Sequence, residues 1–140
     1  MKALKNLIRI NSWALDEKRR KLADLEDLRE GFYREIANFE EQLKLNQAAA
    51  AGSPEIAQTY GNYAVVVIER RRVLRQSIAE TQEAVDAATD EVHLAYQEVK
   101  KYETALERAM ERQRKEEERL EQIELDEMSL NMFRRKNGNT

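Results

Sequence analysis

From Leu74 to Leu130 the chain carries residues at a seven-residue spacing, in two interleaved sets that are apolar or small at all but two positions, Gln113 and Glu116. One set reads Ile78, Val85, Val92, Val99, Leu106, Gln113 and Leu120; the other reads Leu74, Thr81, Ala88, Ala95, Tyr102, Ala109, Glu116, Ile123 and Leu130. These are the a and d positions of a coiled coil, and they lay one narrow apolar stripe along a helix. No Gly or Pro interrupts the run. At about 1.5 Å per residue the spacing predicts a helix of roughly 85 Å, far too long for a compact globule. Such a stripe demands a second helix. With β-branched residues at a and many small ones at d, it leaves room for bulky side chains from that partner.

The partner is present in the same chain. A second heptad pattern has Ile8, Leu15, Leu22, Arg29, Ile36 and Leu43 at a, and Leu4, Asn11, Lys18, Leu25, Phe32, Phe39 and Asn46 at d. Asn11, Lys18 and Arg29 weaken this seam but can fix its register. Gly31 costs the helix about 1 kcal/mol against Ala. After four alanines comes Gly52-Ser53-Pro54. Gly52 can end a helix in the left-handed conformation, Ser53 can cap the next, and Pro54 suits its first position. The expected fold class is therefore all-α: a long two-helix antiparallel coiled-coil hairpin with a protruding C-terminal helix. Its expected parts are helix 1 over about 4–48, a turn at 49–53, helix 2 over about 54–133 and a frayed tail at 134–140, all one domain. A turn centred near residue 51 places residue i opposite about 102 − i, so Phe39 falls near Tyr63, Leu22 near Thr81 and Leu15 near Ala88. Helix 1 then runs out opposite about Val99, and the remainder of helix 2 must stand alone. Pairs such as Glu111 with Lys115 support it.

Composition narrows the function classes. Charged residues are 36% of the chain, and with heptad periodicity that is the coiled-coil signature. A net charge of −3 gives no overall field that favours nucleic acid or an anionic membrane. Without Cys there is no disulfide or thiolate metal site, and no stretch approaches a transmembrane span. Lys5, Arg9 and Asn11 break any signal-peptide core. The expectation is a cytoplasmic, soluble protein with no direct membrane insertion. His93 shares a helical face with Asp86 and Asp90, but one imidazole without a pocket reads as a solvated side chain. There is no glycine-rich phosphate loop, so no cofactor and no enzymatic activity are expected. Arg70, Arg71, Arg72 and Arg75 could contact phosphates, yet they lie beside the seam or near glutamates, and no nucleic-acid partner is expected.

Apolar residues off the seam are more informative, because a two-helix rod does not need them. Trp13 points outward with Ile10 one turn before it. Residues 63–68 are apolar all round, and Val73 continues the face of Val66. Leu125, Met128 and Met132 form a further stripe near the end of helix 2. Exposed apolar patches rimmed by charge mark protein contacts; the plainer reading is self-association or a terminal segment folded back.

The segment Leu15-Asp16-Glu17-Lys18-Arg19-Arg20 resembles the opening of flagellar export proteins of the FliJ type. So do residues 95–103 (AYQEVKKYE) and the charged ending 111–119 with 124–127. The similarity covers nearly the whole chain, and stalk proteins of non-flagellar type III secretion are close relatives. A generic coiled-coil scaffold or tether is the alternative outside that group. The resemblance implies a central-stalk component of the type III export apparatus, peripherally associated with it at the inner membrane. Its implied partners are the hexameric export ATPase, the cytoplasmic domain of the export gate membrane protein, and export chaperones. Gate contact is implied near the turn, at Tyr60, Tyr63, Val66 and Val73. ATPase-ring contact is implied toward the free ends, at Trp13, Arg112, Arg114, Lys115, Leu125 and Met128. Val65 to Val67 depart from the aromatic segment that the family often has here.

Overall fold

A computed structural model describes residues 1–52 and 54–138, leaving aside the side chains of residues 56 and 58–60. Among the described residues there are two helices and no strand: α1, Lys2–Ala51, and α2, Pro54–Gly138. They pack against each other as a helical hairpin. Both helices run further than the periodicity alone marks. Residues 134–138, expected to fray, are helical, and 139–140 lie outside the described residues.

The turn differs from expectation in its means. Gly52 N donates to the Ala49 carbonyl at 3.2 Å, an i to i+3 bond that tightens the last turn of α1. No described glycine has a positive φ, so Gly52 does not use the left-handed conformation. A Cβ there would meet only the Ala49 oxygen at 3.7 Å, which is ordinary contact. Ser53, the expected cap, lies outside the described residues. Pro54 opens α2 and Glu55 sits in its first turn, where a carboxylate suits the positive end of the helix dipole.

The chain divides into two compact units. In Ala14–Ala95, every expected seam position of α1 is buried or half-buried, and Leu74, Thr81, Val85 and Ala88 of α2 are buried. Leu74 is 1% exposed, the most enclosed large side chain among the described residues. Val67, seven residues before Leu74, is buried as well. It therefore belongs to the seam and not to the outer valine patch. The other unit is Met1–Trp13 with Tyr96–Thr140. Here Leu4, Ile8 and Asn11 of α1 are half-buried, as are Tyr102, Leu106 and Ala109 of α2, while Val99 is buried. Every residue from Met110 to Gly138 is exposed. The seam continues beyond Ala109, but nothing among the described residues covers it.

Three polar residues of the α1 seam, Arg29, Lys18 and Asn11, have hydrogen-bond partners. Arg29 Nη1 donates to Gln82 Oε1 at 2.9 Å, and Lys18 Nζ donates to Glu91 Oε2 at 3.1 Å. Asn11 Nδ2 donates to its own helix at the Leu7 carbonyl, 2.7 Å away. Buried Thr81 is satisfied likewise by the Ser77 carbonyl at 2.7 Å. The cross-helix bonds also correct the register. Arg29 meets Gln82 where helix arithmetic gave position 73, Lys18 meets Glu91 where it gave 84, and Glu35 meets Arg70 where it gave 67. Two causes act together. The turn is centred beyond residue 51, and side chains on both helices lean toward their own N-termini. In an antiparallel pair those leans bring together residues whose Cα atoms are offset. A slip of one heptad toward the turn would set Arg29 against Arg75, so charge as well as packing holds the register.

Glu91 also receives Lys21 at 3.7 Å, and these lysines hold its carboxyl below its ordinary value of 4.5, with the Lys18 hydrogen bond as the largest cause. A depressed folded pKa gives stability that is present above the unfolded value and lost as pH falls through the folded one. The side chains of Lys18 and Glu91 still keep about two-fifths of their surface in water, so the effect is small and screened by salt. Glu91→Gln should thus lower the melting temperature slightly at neutral pH. The difference should close as pH falls below the carboxylate range, in a thermal melt followed by far-UV circular dichroism at several pH values.

Candidate partner-binding surfaces

Near the turn, Tyr63, Val66 and Val73 fall at spacings that place them on one face of α2. Val66 is 67% exposed and Tyr63 is exposed, with Val65 and Ile68 bare beside them. Val73 is only half-buried and so belongs partly to the packed side. The Tyr60 side chain lies outside the described residues. Tyr63, Val65, Val66 and Ile68 are what this stretch offers to a partner: four large apolar groups that the hairpin itself does not use.

At the start of α1, Trp13 is 69% exposed and Ile10 is exposed one turn before it. The bare end of α2 carries Leu120, Ile123, Leu125, Met128, Leu130, Met132 and Phe133, all exposed. Two stripes are distinguishable there. Leu120, Ile123 and Leu130 prolong the seam, whereas Leu125, Met128 and Met132 lie on another side. Glu121, Glu124, Leu125 and Met128 line a shallow surface hollow of about 370 Å³.

The cations expected on this segment are not equivalent. Arg114 donates from Nη2 to Glu111 Oε1 at 2.6 Å and from Nη1 to Glu118, so it bridges about two turns of its own helix. The bond to Glu111 is the main reason why its pKa is raised and that of Glu111 lowered. Arg119 and Glu116 form a similar pair at 2.6 Å, with the same directions of shift. Lys115, expected to pair with Glu111, only adds to the positive field on that carboxyl. Arg112 and Lys115 are the exposed cations of this stretch that remain available to a partner. Further back, Arg70 bonds Glu35 of the facing helix at 2.9 Å and Arg72 bonds Glu69 of its own, while Arg71 is half-buried and Arg75 is exposed. His93 is exposed.

This is a helical hairpin with a prolonged, uncovered coiled-coil seam and apolar side chains bare near its turn and its free ends. The chain matches the flagellar FliJ protein family over residues 1–138 and belongs to that family. It is thereby a flagellar export-related coiled-coil protein. Comparison with curated proteins and with solved structures found no match. No helix among the described residues is long and apolar enough to cross a membrane.

If Arg114 splints the uncovered helix, Arg114→Ala should speed amide hydrogen exchange over residues 110–118. Arg112→Ala should leave those rates nearly unchanged. Equal effects of the two substitutions would assign the splint elsewhere.

Proposed function

We propose that this chain is a non-enzymatic central stalk of the flagellar type III export apparatus. It inserts its free helix ends into the hexameric export ATPase, promotes ATP turnover there, and links the ring to the export gate and to export chaperones. The observation that carries the reading is a helix that runs bare for some 29 residues beyond Ala109 in a member of a flagellar family. That stretch is about 43 Å of helix at 1.5 Å per residue, and a ring's central pore is an enclosure suited to a single long helix.

Coupling two machines requires contacts at separate places and a difference in contact between states of the partner. The turn-proximal apolar group of Tyr63, Val65 and Val66 is the gate-binding surface in this reading. Trp13, Arg112, Lys115, Leu125 and Met128 are the ring-binding group. Arg114 contributes by stiffening the helix that carries them. The protein works in the cytoplasm, at the face of the inner membrane where the apparatus is built.

The test is ATP turnover by the cognate export ATPase with and without the purified chain, together with pull-downs on the ring and on the gate's cytoplasmic domain. The wild-type chain should raise turnover and show none alone. Arg112→Glu with Lys115→Glu should weaken ring binding by about tenfold at low salt, with a shrinking effect as salt rises. Val66→Asp should weaken gate binding alone, with helicity unchanged. If the chain leaves turnover unaltered, or the Val66 variant loses the ring and keeps the gate, the proposal fails.

A further inference from the structure

The net charge of −3 hides an uneven distribution. Residues 1–15 contain Lys2, Lys5 and Arg9 and no Asp or Glu; the first acidic residue is Asp16. Elsewhere cations commonly bond a carboxylate three residues away, as Arg20 bonds Glu17 and Arg119 bonds Glu116. Lys2, Lys5 and Arg9 have no carboxylate within four residues, are exposed, and form no ion pair among the described residues. Their spacings of three and four put them on one face of α1. Ala3, Leu7 and Ile10 fall on a neighbouring face, and at 100° per residue Trp13 sits between it and the cations. Leu7, Ile10 and Trp13 are all exposed, Ile10 to 58%. The third side, with Leu4, Ile8 and Asn11, is the half-buried seam.

We infer that the first four turns of α1 form a binding face for an anionic lipid surface. A bilayer interface offers in one plane what this face requires: phosphates for three unpaired cations, and an acyl boundary for Leu7, Ile10 and Trp13. An indole at the junction of apolar and basic faces holds the position that interfacial tryptophans favour. The contact is peripheral, since the seam side of the same turns is occupied and the helix lies flat on the surface. Each Lys or Arg near an anionic leaflet is worth about fivefold in partitioning, so the three together contribute about a hundredfold. This goes beyond the stalk reading, which gives Trp13 to the ring. A Trp13 face lying on lipid is unavailable to the ring, so the two engagements exclude one another.

Trp13 is the only tryptophan in the chain, so its fluorescence reports the contact directly. The full chain is mixed with vesicles of phosphatidylglycerol and phosphatidylcholine in equal parts, and with vesicles of phosphatidylcholine alone. Emission should shift to the blue and the chain should sediment with the anionic vesicles only, less so at high salt. Lys2→Glu, Lys5→Glu and Arg9→Glu combined should reduce partitioning by about a hundredfold or more. Ile10→Ser should weaken it while leaving far-UV circular dichroism unchanged. An unmoved Trp13 emission, or sedimentation that survives the triple charge reversal, would overturn the inference. So would an equal blue shift on adding soluble polyglutamate, which would point to an acidic protein partner. No ATPase is present in this assay, so its outcome is separate from that of the stalk test.

Discussion

Because α1 has 50 residues, α2 has 85, and only two residues separate them, α1 can cover the α2 seam no further than about Ala109. Most other features answer to that mismatch. Up to Ala109 the a and d residues are enclosed by the facing helix, and removal of apolar surface from water drives the pairing. Past it, the same periodicity continues through Leu120, Ile123 and Leu130 with no facing helix. The chain keeps this part helical by other means. Residues 110–133 hold no Gly or Pro, and Arg114 and Arg119 bond glutamates three or four positions away. Continuation from a packed helix also avoids the unfavourable nucleation step.

The polar interruptions divide the labour with the apolar ones. Leu74 and Val99 supply burial, whereas Arg29, Lys18 and Glu91 supply position. A uniform seam could slide by a heptad with little loss of apolar contact, but Arg29 would then face Arg75. Exposed pairs of this kind add little stability; their use here is register. Register matters for function, since it fixes how much of α2 is left uncovered and which residues stand on it.

The fold was legible because a seven-residue period is a strong signal and Gly52-Ser53-Pro54 interrupts it only once. All thirteen expected seam positions of α1 are buried or half-buried. Val67 could have been found by stepping seven back from Leu74, but the surrounding run of apolar residues at 63–68 masked the period. Register was less legible, because it depends on the lean of long side chains and on where the turn is centred. The exposed apolar patches were legible as stretches of the chain, not as lists of residues. Val73 proved half-buried, and Arg114 proved to be held by Glu111 and Glu118 at spacings the sequence displays. The cations at Lys2, Lys5 and Arg9 are hidden in the net charge, which averages over the chain. Their signal is local: fifteen residues without an acid.

The central claim is that one chain supplies both helices of the paired seam. The chain has no cysteine, so spin labels can be placed at will by Glu17→Cys and Asp90→Cys, two exposed positions beside the Lys18–Glu91 bond. With helix axes roughly 10 Å apart, double electron–electron resonance should show a distance of about 20 Å between the labels. That distance should persist when labelled chains are diluted into a large excess of unlabelled ones. A short distance that disappears on dilution would mean that the seam is closed by a second chain, and would contradict the hairpin and the uncovered helix derived from it.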